Sequence, residues 1–217
     1  MRVRVGCEFH YDAPGPTAAI WQVRAHPSGS HRILAESWGA NPASSTTFYL
    51  DHYGNLCDRM TLPEGSTLVR YNADVEVPDH SDDTDKDARQ LSVDRLPDET
   101  MVFLLPSRFC LSDVLRDQAW DLFGATEPGW ARVQAVCDWV HHNVRFRPGS
   151  SSAVTTAVDV CQNGTGVCRD FAHLGVTFCR SLNIPARYVF GYLPDVGVPP
   201  MDEPMDFCAW FEAYLED

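Results

Sequence analysis

The chain has no apolar run approaching the roughly 20 residues that cross a bilayer, it has one lysine, and its eight cysteines include no Cys-x-x-Cys pair. Each shortage excludes something. No membrane span is expected, and the opening MRVRVGCEF alternates as a strand does and lacks the apolar block of a signal peptide, which points to a cytoplasmic location. Lys86 leaves at most one ε-amine as an acyl acceptor for self-crosslinking, since every other basic residue is arginine. The scattered cysteines argue against a zinc ribbon or a thioredoxin-type motif, and most are expected as buried thiols used as small hydrophobes. Positive charge is also scarce. A net charge of −13 supplies no basic face for nucleic acid or an anionic membrane, so neither is expected as a partner. What is present is ordinary for a folded protein: 217 residues, 44% hydrophobic, enough for one sizeable core or two small ones.

Residues 1–77 read as short strands. Val3, Val5, Cys7 and Phe9 alternate with Arg2, Arg4, Gly6 and Glu8, the pattern of a half-buried strand. Further strands are expected over 18–25, 32–38, 46–51, 56–62 and 67–77, separated by DAPGP, PSGS, ANPASS, HYGN and PEGS. A small antiparallel β-sandwich or barrel is the natural outcome. No chemical groups gather at a motif spacing in this half, and His10, His26, His31 and His52 read as surface or strand-edge residues. Residues 78–100 are acidic, poor in apolar side chains and carry a proline near each end, which predicts a solvated linker or long loop. The acidic run 81–87 lacks the glycine and closing glutamate of an EF-hand.

Residues 101–217 change character. An apolar segment at 102–106 reads as a strand or as the entry to a second half, and Ser112 or Asp113 can cap a helix running to Phe123. A second helix opens at Thr126 with Pro128 in its first turn, carries Val133, Val136, Cys137 and Val140 on one face and ends near Asn143. Thr155 and Thr156 precede a short capped helix that leads to the stretch around which this half is organised, GTGVCRDFAHLGVTFCRSL at 164–182. Val167, Phe171, Leu174, Phe178 and Leu182 recur there at steps of four, three, four and four, the apolar stripe of an amphipathic helix. Gly164-Thr165-Gly166 forms a turn before it. Cys168 then falls in the first helical turn, where unpaired N–H groups and the macrodipole favour an anion such as a thiolate. Ala172, Gly175 and Cys179 form a stripe of small residues that lets another element approach closely. Asn183-Ile184-Pro185 stops the helix, and strands follow over 186–193 and 206–215. From the residues alone Cys168 is either a reactive or a packing thiol, and His141, His142 and His173 read as surface positions on helices.

GVCRDFAHL, then CRSLNIPARYVFGYL, then DFCAWFEAYL closely resemble the core of the bacterial transglutaminase-like family, whose pattern reads GVCRDFAHL…IPARYVSGYL…DFHAWFEVYL. The resemblance extends back through Trp139-Val140 and Val144-Arg145-Phe146, and the β-rich first half with Asp51…Gly54-Asn55 is similar to the domain that precedes this core in the family. It implies an α+β fold: an N-terminal antiparallel β-sandwich or barrel (1–77), an acidic linker or loop (78–100), and a papain-like core (101–217) that reads as truncated at its C-terminus. It also implies a thiol hydrolase or transferase acting on a peptide or protein amide. Cys168 is then the nucleophile that forms a thioester, its own N–H a candidate oxyanion donor, and Asp170, His173, Asp206 and Trp210 are candidate binding residues. No motif indicates a cofactor or a resident metal.

At the position of the family's catalytic histidine this sequence has Cys208, and the orienting aspartate expected on the following strand has no match before Asp217. Loss of the general acid–base component alone costs roughly 10²–10⁴-fold. Three readings stay open. The chain is a homologue that keeps the fold and has lost efficient catalysis, as a pseudoenzyme or peptide-binding module. Alternatively, Cys208 faces Cys168 as a redox couple or, with a histidine such as His173, as a metal site. In the third, another histidine substitutes as the base, although His173 lies five residues after Cys168, about 140° round the helix, and is expected to point away.

Overall fold

The computed structural model describes residues 1–79, 84–193, 199 and 207–216. Two compact units emerge. The first comprises Met1–Asp82 with Gly191–Asp206, and the second Asp83–Phe190 with Phe207–Asp217.

The first unit contains two three-stranded antiparallel sheets, and alternation makes them. In one, β1 (Arg2–Ala13) and β3 (Arg32–Asn41) flank β6 (Gly65–Glu76), with Arg2 opposite Glu76 and Ala13 opposite Gly65, and a bulge between Ile33 and Ala35. In the other, β2 (Thr17–Trp21) and β4 (Thr46–Leu50) flank β5 (Leu56–Leu62). Thr67, Val69, Tyr71, Ala73 and Val75 of β6 are all buried and their neighbours are not, so every second residue enters the core. Trp21 of β2 meets Phe9, Tyr11 and Trp38 of the opposing sheet at centroid distances of 5.1, 5.4 and 6.1 Å, closing a sandwich. The expected strand over 18–25 stops at Trp21 because Arg24 leaves the ladder to pair with buried Asp58.

The second unit is built on α4 (Cys168–Ser181). Around it lie α1 (Arg116–Phe123), α2 (Trp130–Asn143), α3 (Ala157–Asn163), the short parallel pair β7 (Arg145–Phe146) and β8 (Thr165–Gly166), and the paired strands β9 (Ala186–Gly191) and β10 (Cys208–Ala213). Phe178 sits edge-on to Phe123 and Trp139, each centroid 5.3 Å away, and its burial contributes roughly 1.5–3 kcal/mol. The amphipathic reading of α4 is too modest. Ala172, Gly175, Val176, Thr177 and Cys179 are buried along with Leu174 and Phe178, so the helix is covered on nearly every side. The small stripe is the reason: a Cβ on Gly175 would lie 2.4 Å from Cε1 of Phe211, so only glycine lets β10 lie this close.

The stretch 78–100 departs from a solvated linker in its second half. Arg89 bridges to Glu216, Leu96 is buried, and the Gln90 side-chain amide donates to the carbonyl of Leu182 at 2.8 Å. Trp120 Nε1 likewise donates to the Ser181 carbonyl at 3.0 Å. Both bonds answer carbonyls that a helix end leaves without intrahelical partners. Polar composition concealed this role, because these residues hold the core through hydrogen bonds and only slightly through apolar area. The apolar segment at 102–106 is likewise not a strand; a 3₁₀ turn covers Asp98–Leu104. The core begins before residue 101. Among the described residues no helix is long and apolar enough to cross a membrane.

Candidate active site

Cys168 is the first residue of α4, and the chain leading to it is fixed at several points. Thr156 caps α3 in a reciprocal pair with Asp159. Gly164, with φ of 63°, ends that helix in the left-handed conformation and turns the chain into β8. There the Arg145 and Arg147 N–H groups donate to the carbonyls of Gly164 and Gly166, both at 2.9 Å. The Asp170 carboxylate, fully buried, then reaches back to accept the Val167 N–H at 2.8 Å. A Cβ on Gly166 would lie 2.7 Å from the Asp170 Cβ, so the glycine is what admits that side chain. Arg169 ties the same turn to the preceding loop by donating to Ser151 Oγ and the Ser152 carbonyl at 3.1 and 3.0 Å. The result is a half-buried thiol on a rigid helix start.

Cys208 opens β10 and brings a second half-buried thiol against the first. Burial pushes the Cys208 thiol up, the adjacent Cys168 side chain adds to that, and the Ala209 backbone opposes them. The two sulfurs are not joined. Tyr188 of β9 stands over the same place: burial raises its phenol first, Cys168, Asp170 and Cys208 raise it further, and Arg169 opposes them.

His173 packs against two aromatic rings. Its ring stacks on Phe109 at 5.2 Å with planes 9° apart, and meets Tyr188 at 4.9 Å with planes tilted by 40°. Its buried Nδ1 has no hydrogen-bond partner among the described residues. Burial lowers its pKa to about 4, with Arg169 and Arg180 contributing against the opposing effect of Asp170.

A thiol at a helix start, answered from a strand beside it, sits within a match of residues 118–217 to the transglutaminase-like superfamily. The structure of a candidate cysteine protease from Cytophaga hutchinsonii is 34% identical to this chain, covering 99% of it and 73% of the other, with a TM-score of 0.87. The chain belongs to the transglutaminase-like family. An uncharacterized protein of Mycobacterium leprae is 26% identical over 201 residues, 89% of this chain and 71% of that one. The periplasmic domain of TgpA from Pseudomonas aeruginosa, bound to ethylmercury, aligns over 98% of this chain and 68% of that one at 15% identity and a TM-score of 0.45.

Within this transglutaminase-like core the named site residues have separate fates. Cys168 and Cys208 come together. Asp170 is a buried capping group of the nucleophile turn, which leaves it no surface for a ligand. Asp206 lies outside the described residues. Trp210 is 41% exposed and lines a cavity of about 450 Å³ with Val133, Val140, His141, Phe171 and Phe211. His173 is packed between rings and not displayed on the surface. Among the described residues no group of three or more His, Cys, Asp or Glu is arranged to hold a metal ion, so the Cys168–Cys208–His173 arrangement is not formed. Arg169 and Tyr188 belong to the site and were not singled out from the sequence. Arg169 adjoins the cysteine and could have been flagged, whereas Tyr188 in an aromatic strand reads as packing.

The His173 environment gives the core an acid dependence. The folded ring titrates near 4 against an ordinary 6.5, so the unfolded chain takes up a proton that the folded one refuses. Stability is unaffected by this group above about pH 6.5 and falls as pH drops from there towards about 4. In His173→Phe, which keeps a stacked ring, the denaturant midpoint is expected to fall less steeply across that window. An equal slope in both proteins would remove His173 from the account.

Proposed function

We propose that this transglutaminase-like chain is a thiol protein directed at amide or peptide bonds, with Cys168 as nucleophile and with acyl transfer impaired because a thiol stands where a base is needed. The observation that carries the reading is the contact of Cys208 with Cys168 at the start of α4. In the productive reaction the Cys168 sulfur adds to a carboxamide or peptide carbonyl, an amine leaves, and the acyl group passes from the thioester to water or another amine. The Cys168 N–H, at a helix position without an intrahelical acceptor, is suited to receive the oxyanion. What is lacking is proton transfer. A base must take the thiol proton and return it to the departing amine, and Cys208, its thiol pushed up by burial and by Cys168, does neither well near neutral pH. His173, neutral and enclosed by two rings, does not replace it. The substrate class is a peptide or protein amide. The location in this reading is cytoplasmic, on the sequence argument that the eight cysteines include no Cys-x-x-Cys pair and that the N-terminal segment alternates as a strand does.

The test is competitive alkylation. With limiting iodoacetamide at neutral pH, mass spectrometry is expected to find the Cys168 adduct well ahead of the other seven cysteines. Equal labelling of all accessible thiols would show that the helix start confers no nucleophilic advantage and would end this reading.

A further inference from the structure

We propose that Cys168 and Cys208 form a peroxide-responsive dithiol–disulfide pair, with Cys168 as the attacking thiol and Cys208 as the resolving thiol. Two separate elements, the start of α4 and the start of β10, deliver these thiols against one another. Both are half-buried and unjoined, so a small oxidant reaches them, whereas Cys57, Cys110 and Cys179 are buried. The roles differ with position. Cys168 is the first residue of α4, beside backbone N–H groups that have no intrahelical partner. Cys208, kept protonated by burial and by its neighbour, is the thiol that waits.

The oxidant is a hydroperoxide, here hydrogen peroxide. The Cys168 thiolate attacks one oxygen, an S–O bond forms as the O–O bond breaks, and hydroxide leaves with the electron pair, giving a sulfenic acid. The Cys208 sulfur then attacks the Cys168 sulfur, the S–O bond breaks, and the hydroxyl group departs with the Cys208 proton as water. Two electrons have passed from the two thiols to the peroxide, and a dithiol reductant returns them. Oxidation removes the nucleophile from any acyl chemistry and spares it from irreversible sulfinic acid. None of this requires amide turnover, so the proposal stands apart from the acyl-transfer reading.

The experiment exposes the full chain to a small excess of hydrogen peroxide at neutral pH, traps remaining thiols with N-ethylmaleimide and maps the peptides. The thiol titre is expected to fall by two from eight. One linked species should join the Cys168 and Cys208 peptides with the loss of two hydrogens, and dithiothreitol should restore both thiols. In Cys208→Ser the link is absent and Cys168 accumulates as dimedone-reactive sulfenic acid and then as sulfinic acid. Three results overturn the proposal: no loss of thiols, scrambled links among several cysteines, or Cys168 sulfinic acid forming as fast in the unmodified chain as in the variant. The unmodified chain decides the matter even if Cys208→Ser folds poorly.

Discussion

Replacing Cys208 with histidine is expected to raise the turnover of a peptide amide by roughly 10²–10⁴-fold, the contribution of a positioned general acid–base group. The basis is local. Cys208 is half-buried at the first position of β10, its side chain already contacts Cys168, and the surrounding core is set by α4, Phe211 and Gly175, which the substitution leaves alone. An imidazole there titrates near neutral pH and can both accept the thiol proton and return it to the leaving amine. Amine release measured for the unmodified chain and for Cys208→His, with unchanged melting temperature as the folding control, checks it. Adding Cys168→Ala to Cys208→His should abolish the gain, and a gain that survives would assign the chemistry elsewhere.

The second large effect lies in the first unit. Arg24→Met is expected to destabilise that unit by about 3–5 kcal/mol, because it leaves a buried carboxylate without its partner. Asp58 is 1% exposed and is held by Arg24 through two parallel bonds, Nε to Oδ2 at 2.7 Å and Nη2 to Oδ1 at 3.0 Å. The same guanidinium donates to Glu36 at 3.0 Å, and Glu36 accepts the hydroxyl of buried Tyr71 at 3.0 Å. The pairing raises the Arg24 pKa through the Asp58 hydrogen bond, against the opposing effect of burial. Removing both charges together, Arg24→Met with Asp58→Leu, should recover much of the loss, since a buried pair replaced by apolar side chains is often near neutral. Thermal and urea unfolding measure both variants. A single substitution costing under about 1 kcal/mol, the usual worth of an exposed pair, would show that Asp58 is better solvated than its burial indicates.

Much of this fold was legible because its elements obey simple periods. The alternation of Val3, Val5, Cys7 and Phe9 and the buried face of β6 gave the strands, and Thr156 before α3 gave that helix its start. What escaped were interactions made by polar atoms over long separations. Gln90 answering Leu182, Arg89 bridging to Glu216, and Arg24 gripping Asp58 have no periodic signature. Composition therefore assigned the region around Gln90 to solvent. In the site, GVCRDFAHL marked Cys168, and the resemblance to the family pattern marked Cys208. The burial of Asp170 behind Gly166 and the packing of His173 between Phe109 and Tyr188 depend on which face of α4 is covered. A helix enclosed on nearly every side does not announce that in its apolar stripe alone.

The central claim is that a reactive thiol remains at Cys168 while its base is gone, and the most direct measurement is amide turnover by the unmodified chain beside Cys168→Ala and Cys208→His. The account predicts that the unmodified chain lies close to Cys168→Ala and far below Cys208→His. Efficient turnover by the unmodified chain, lost in Cys168→Ala and not improved by Cys208→His, would contradict it.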